Sequence, residues 1–350
     1  MPDESEKRKK ITITRSVLLT LVFGAFALGA FIGGGALGLF SPLLAEKGDA
    51  LSGREGEFKF IRSSAGTRDG EARGRNKELK PFRYKIDALI TDELKKGEAT
   101  SVAVYFRDLV NGNRFGIGEN EKFSPRSLLK LPLMIAYFKW AETNPLVLRK
   151  TLLYSGDPKQ DEQKHLKPVE ELVSGRHYTV NDLIFRMIAY DDTAAYVLLN
   201  DNMPPPRLDK IFKDLNVDYD PHRDKEEDSL SLSAFASLYR VLFNASYLSE
   251  EMSEKALRYL SKSTFSDGMA SGIPQNVELA SKFGERTISL TPSDGNDDDE
   301  IYQLHEFGII YHPNRPFIIG VMARGDDFDS LKKVIRDITR LVYEEVDQQL

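Results

Sequence analysis

Thirty consecutive residues without a charge, SVLLTLVFGAFALGAFIGGGALGLFSPLLA at positions 16–45, decide how this 350-residue chain must be divided. About 20 apolar residues suffice to cross a bilayer as a helix, whereas the core of a signal peptide needs only about 7–15. Leu43 stands where a cleavage site would want a small residue, so a retained anchor is expected rather than a removed leader. Residues 1–15 carry Lys7, Arg8, Lys9, Lys10 and Arg15 against Asp3, Glu4 and Glu6, a net +2 that favours a cytoplasmic N-terminus and export of the rest. The expected organisation is a single-pass membrane protein. It has a cytoplasmic tail (1–15), a transmembrane anchor (16–45), a linker (46–78) and an extracytoplasmic folded domain (79–350).

The linker is mixed in charge and rich in Gly and Ser, with EFKFI (57–61) as a short docked strand. Beyond it the hydrophobic pattern changes period several times. Leu79, Phe82, Ile86, Leu89 and Ile90 recur at helical spacing over 79–97. SVAVYFRDL and RFGIG, separated by Asn111-Gly112-Asn113, read as a β-hairpin. A long and mostly helical stretch follows from Ser127 to about Leu260. Three further strands are expected at VELASKFG, YQLHEFGIIY and RPFIIGVMA, then a helix over 328–346 with Leu331, Val334, Ile335, Ile338 and Leu341 in one stripe. This order predicts an α+β domain. Its five-stranded antiparallel sheet is flanked by helices and interrupted by an inserted, mainly helical subdomain.

Composition removes several chemistries. There is no cysteine, so disulfides, thiolate metal sites and a cysteine nucleophile are excluded. The total charge of −6 leaves the chain beyond the basic tail at −8, which argues against nucleic acid as a partner. The five histidines show no paired ligand spacing, and no phosphate-binding Gly-rich loop or Gly-x-Ser-x-Gly elbow occurs. The acidic run Asp297-Asp298-Asp299-Glu300 reads as a solvated hairpin tip. No metal and no organic cofactor is expected.

One pair of residues stands out. In SPRSLLKLPLMIAYFKW (124–140) a lone Lys130 lies inside an apolar run, three residues after Ser127. On a helix, i and i+3 share a face, so hydroxyl and ammonium can meet. Pro132 is tolerated only near a helix start, which puts Ser127 at the N-terminal end, where free N–H groups favour a developing oxyanion. Burial in apolar surroundings lowers the pKa of an ammonium, which favours the neutral amine and lets it serve as a base toward the hydroxyl.

Two more motifs follow in order: Tyr190-Asp191-Asp192 between apolar helical runs, and Lys282-Phe283-Gly284 on an expected strand. Together with Ser127-x-x-Lys130 they resemble the signature of the penicillin-recognising serine acyltransferases, the class A β-lactamases and D-alanyl-D-alanine peptidases. That signature is Ser-x-x-Lys, then Ser-Asp-Asn or Tyr-x-Asn, then Lys-Thr-Gly. The resemblance runs from about Leu79 to the C-terminus. It implies Ser127 as nucleophile, Lys130 as its proton acceptor and Tyr190 as relay to the leaving nitrogen. It also implies that Asp192 and Lys282 contact substrate, with Lys282 holding its carboxylate. Gly284 would let substrate pair with the strand, and the N–H groups of Ser127 and Glu285 would form an oxyanion hole.

Departures from the signature are Tyr190 for serine, Asp192 for asparagine and Phe283 for threonine. An ionised aspartate only accepts hydrogen bonds, and phenylalanine removes a hydroxyl. Glu227-x-x-Leu230-Ser231 echoes the Glu-x-x-Leu-Asn pattern of the deacylating glutamate, making Glu227 the candidate activator of water. The expected substrates are β-lactams or D-Ala-D-Ala-type cell-wall peptides. The alternative is a wall-binding protein of the same fold with impaired catalysis.

Overall fold

A computed structural model describes residues 58–62, 80, 82–119, 121, 123–124, 126–156, 165–216, 231–290 and 299–349. The expected anchor, the tail, most of the linker and Glu227 lie outside these residues. Among the described residues no helix is long and apolar enough to cross a membrane.

The first helix, α1 (Arg83–Lys95), is shorter than the expected 79–97. It leads into the hairpin β1 (Ser101–Asp108) and β2 (Arg114–Ile117), turned at Gly112 with φ +78°. A 3₁₀ turn (Arg126–Leu129) runs directly into α2 (Lys130–Thr143). The helical stretch then contains something the periodicity did not indicate: a small two-stranded sheet of β3 (Thr151–Leu153) and β4 (His177–Thr179). Three-residue strands are too short to show an alternation of period two, which is why they were invisible. Five helices follow: α3 (Val180–Ala189), α4 (Thr193–Asp201), α5 (Pro205–Asp214), α6 (Leu232–Phe243) and α7 (Glu250–Leu260).

The chain returns to the sheet through β5 (Leu279–Leu290), β6 (Asp299–Ile310) and β7 (Phe317–Gly325), and closes with α8 (Phe328–Gln348). The strand order is β2-β1-β7-β6-β5, all antiparallel. Thus β5 is an edge, and one side of its backbone is left for something other than the sheet. Both β5 and β6 extend beyond the expected segments, to twelve residues each.

The two faces of the sheet bury different things. One side packs on α1 and α8, whose Leu331, Val334, Ile335, Ile338, Val342 and Val346 form the apolar stripe. Leu341, expected in that stripe, lies at its margin. The other face, with Ala280, Phe307, Ile309 and Met322, packs on the helical half. Close packing shows at Gly320, where an added Cβ would lie 2.1 Å from the ring of Phe307.

Residues 58–62 also belong to this second core, though not as a strand. The N–H groups of Lys59, Phe60 and Ile61 all donate to the buried carboxylate of Glu254, and Tyr311 donates its hydroxyl to the Phe60 carbonyl. Glu254 thus does for this extended segment what a sheet neighbour would do, which is to satisfy its buried backbone donors.

Candidate active site

Ser127 sits in the 3₁₀ turn and Lys130 opens α2. Side chains three apart eclipse in 3₁₀ geometry, so the turn aims both toward the same point. That point is Asp191. Ser127 Oγ donates to Asp191 Oδ2 at 3.0 Å. Lys130 Nζ donates to Asp191 Oδ1 and to its backbone carbonyl, each at 2.7 Å. Lys282, entering from β5, donates to the same Oδ1 at 2.5 Å. Lys130 is 3% exposed, and Asp191 and Lys282 are fully buried. Ser127 remains partly open. Two ammonium groups and one carboxylate removed from water persist only because each is densely hydrogen-bonded.

The backbone explains why Asp191 occupies the centre. Asp191 has φ +54°, one of few non-glycine residues in the left-handed region, a conformation that Asp tolerates better than most. This kink between α3 and α4 turns its side chain toward Ser127. Asp192 follows as the N-cap of α4, accepting from the Ala195 N–H at 2.8 Å. Tyr190 ends α3, its ring packed edge-on against Phe185 and near the Arg186 guanidinium.

Within the Tyr190-Asp191-Asp192 motif the residue turned toward the nucleophile is therefore the middle one. Asp191, not Tyr190, takes the position facing nucleophile and lysines. Asp192 takes the capping position, and Thr193 the third. Both Asp191 and Asp192 were acceptable caps by residue type, and nothing in the sequence distinguished them. Tyr190, expected as the relay, closes α3, and Asp192, expected at the substrate, caps α4; the residue that meets Ser127 and the two lysines is Asp191.

The third motif holds its expected strand. Gly284 is buried on β5 opposite His305 of β6, and Glu285 pairs with Leu304. The Glu285 side chain accepts from the N–H groups of His165 and Leu166, which brings the loop between β3 and β4 alongside β5. Phe283 turns its ring to the opposite core, against Phe265.

Sequence reading missed Glu306, the acid directly before the apolar run Phe307–Ile310 of β6. It is fully buried and accepts from the Ser281 hydroxyl and the Met269 N–H, each at 2.8 Å. Burial raises its pKa to about 7, against the pull of those hydrogen bonds and of the Lys282 ammonium. Its neighbour His305, edge-on to Phe123, is pushed down to about 3 by burial and stays neutral. No group of His, Asp or Glu suited to a metal occurs among the described residues.

Residues 81–346 match the profile of the "Beta-lactamase enzyme family". The chain belongs to that family. The fold agrees: PBP-A superposes with a TM-score of 0.63 at 16% identity, covering 78% of this chain and 99% of that one. A beta-lactamase from Xanthomonas campestris pv. campestris gives 0.61 at 19% identity, covering 75% and 97%. One from Sphaerobacter thermophilus gives 0.61 at 19%, covering 77% and 98%. No curated protein matches the sequence. The family is that of the resemblance drawn from the three motifs, and it carries serine hydrolase chemistry of the β-lactamase type.

Proposed function

We propose that this β-lactamase-family domain is an acyl-transfer enzyme in which Ser127 forms the acyl-enzyme. The observation that carries the reading is the direct hydrogen bond from the half-open Ser127 hydroxyl into a buried carboxylate held by two lysines. As Oγ bonds to the substrate carbonyl carbon, its proton moves to Asp191 Oδ2, within the network that Lys130 completes. The carbonyl electrons go onto oxygen, which the backbone N–H groups of Ser127 and Glu285 would stabilise. When the bond to the leaving nitrogen or oxygen breaks, that atom recovers the proton. Water then repeats the sequence on the acyl-enzyme.

The substrates proposed are acyl donors of the β-lactam type or acylated alanine amides and esters. PBP-A supports this by likeness, since one neighbouring structure of it is an acyl-enzyme complex with penicillin G. We also propose that residues 16–45 anchor the domain outside the membrane, supported by their length and by the basic tail before them.

The test is hydrolysis of a p-nitrophenyl ester of N-acyl-alanine by the full chain. Release of p-nitrophenol that disappears in Ser127→Ala supports the enzyme. A folded protein with no release in either form favours the second reading, a binding protein whose serine and lysines are locked by Asp191.

A further inference from the structure

An ammonium has three N–H bonds to give, and the surroundings of Lys282 face it with three acceptors from its own chain. Asp191 Oδ1 lies at 2.5 Å and the Phe283 carbonyl oxygen at 3.1 Å, while the ring centroid of Phe283 stands 4.4 Å from Nζ. None of the lysine side chain is exposed. On the carboxylate, Oδ1 receives both lysines and Oδ2 receives Ser127.

The positive charge is partly offset as well. Two ammonium groups face Asp191 and Glu306, and the latter is partly ionised near neutral pH. Beside the first part of β5 runs an open groove lined by Ser263, Phe265, Asn276, Leu279 and Ser281 among others. The one charged side chain in its lining is Glu278, an acid.

We infer that Asp191 stands permanently where a substrate carboxylate would bind Lys282, so that the site takes acyl donors with no carboxylate beside the leaving atom. These are lactams, amides and esters whose leaving side is esterified, amidated or continued as a chain. The inference rests on Ser127 being the acylated residue. A second carboxylate reaching Lys282 would find no N–H left and would meet Asp191 at contact distance, a like-charge pairing that excludes wrong partners. A neutral donor meets no such penalty. Ser127 Oγ bonds to its carbonyl carbon, the bond to the leaving atom breaks, and that atom takes back the proton lent to Asp191.

The experiment uses a matched pair, penicillin G and its methyl ester, which share one acylating ring and differ only in the carboxylate. Rates of adduct formation on the full chain are read by intact-mass spectrometry. The wild type is expected to react with the ester faster by about tenfold or more, the ratio given by ~1.4 kcal/mol. Asp191→Ser, which vacates the position and also removes the proton acceptor, reacts more slowly with both compounds, and it is the ratio between them, not the rate, that reverses. Asp191→Asn, which keeps the shape without the charge, narrows it and serves if the serine variant does not fold. Equal or faster reaction with the free acid in the wild type overturns the inference while leaving the acyl-enzyme standing. An unchanged ratio in the folded variants does the same. No adduct from either compound on any folded form overturns the acyl-enzyme reading itself, and this inference with it.

Discussion

Two clusters of buried charge sit on different strands of the sheet, one at β1 and one at the edge strand β5, and they are built differently. Asp108, at the end of β1, meets Arg315 in the β6–β7 turn at 3.4 Å, both fully buried. There one cation answers one anion, and the same carboxylate accepts the Val110 N–H of its own turn at 2.8 Å. At β5, two cations converge on Asp191, which also receives a hydroxyl that solvent can still reach. The first arrangement is closed and staples a turn. The second holds an extra positive charge and an open nucleophile, which is what chemistry needs and what stability alone would not select.

The comparison is broken hardest at Lys130. Lys130→Met should lower the rate of Ser127 acylation by on the order of 10²–10⁴, the usual worth of positioned acid–base groups. Its urea midpoint should fall little, because Asp191 keeps Lys282 as its partner while an apolar side chain replaces a costly buried ion. Stopped-flow acylation and urea unfolding, compared on one preparation, decide this. A large stability loss with intact acylation would make Lys130 a structural ion like Arg315.

The mirror experiment is Asp108→Ala. Removing one partner of a buried pair costs about 3–5 kcal/mol, so unfolding should shift strongly while acylation of the remaining folded protein is unchanged. A drop in the acylation rate of folded protein would show that the two clusters are not separate.

Glu306→Gln probes the edge of the catalytic cluster. Its folded-state pKa of about 7 lies above the ordinary 4.5. The native state therefore holds a proton that the unfolded chain has lost between these values. This contribution to stability is full below about pH 4.5 and is lost as pH rises through about 7, a span worth on the order of 3 kcal/mol. Glutamine can keep both hydrogen bonds, accepting from Met269 and donating to Ser281. Its stability curve should lack that decline, seen as a variant that gains on the wild type from pH 5 to 8. Parallel curves across this range would remove the buried proton from the account.

The smallest effect is expected at Thr193, whose hydroxyl is buried without a hydrogen-bond partner. Thr193→Val should be neutral or stabilise by up to about 1 kcal/mol, read from the thermal midpoint. A clear loss would mean that the hydroxyl is in use.

Most of the sheet and the outer helices are legible in the sequence, because their burial writes a period into it. SVAVYFRD, YQLHEFGII and the stripe of α8 each bury one face or both. The β3–β4 pair could not be read, since three residues carry no period. EFKFI announced burial but not its form, because the partner of its N–H groups is Glu254, nearly 200 residues away. The site was legible as a set of motifs, with Ser127, Lys130 and Lys282 converging as their order implied. Its centre was not legible. Which of two adjacent aspartates caps α4 depends on one backbone dihedral at Asp191, and propensity ranks the two alike. Glu306 does carry a signal in the sequence: it is the acid placed directly before the apolar run Phe307–Ile310 at the buried end of β6.

The central claim is that Ser127 is the residue acylated. Peptide mapping of the full chain after reaction with the methyl ester of penicillin tests it directly. The account predicts one acyl adduct, on the peptide containing Ser127, absent from Ser127→Ala under the same conditions. An adduct on another residue, or one that survives in Ser127→Ala, would contradict it.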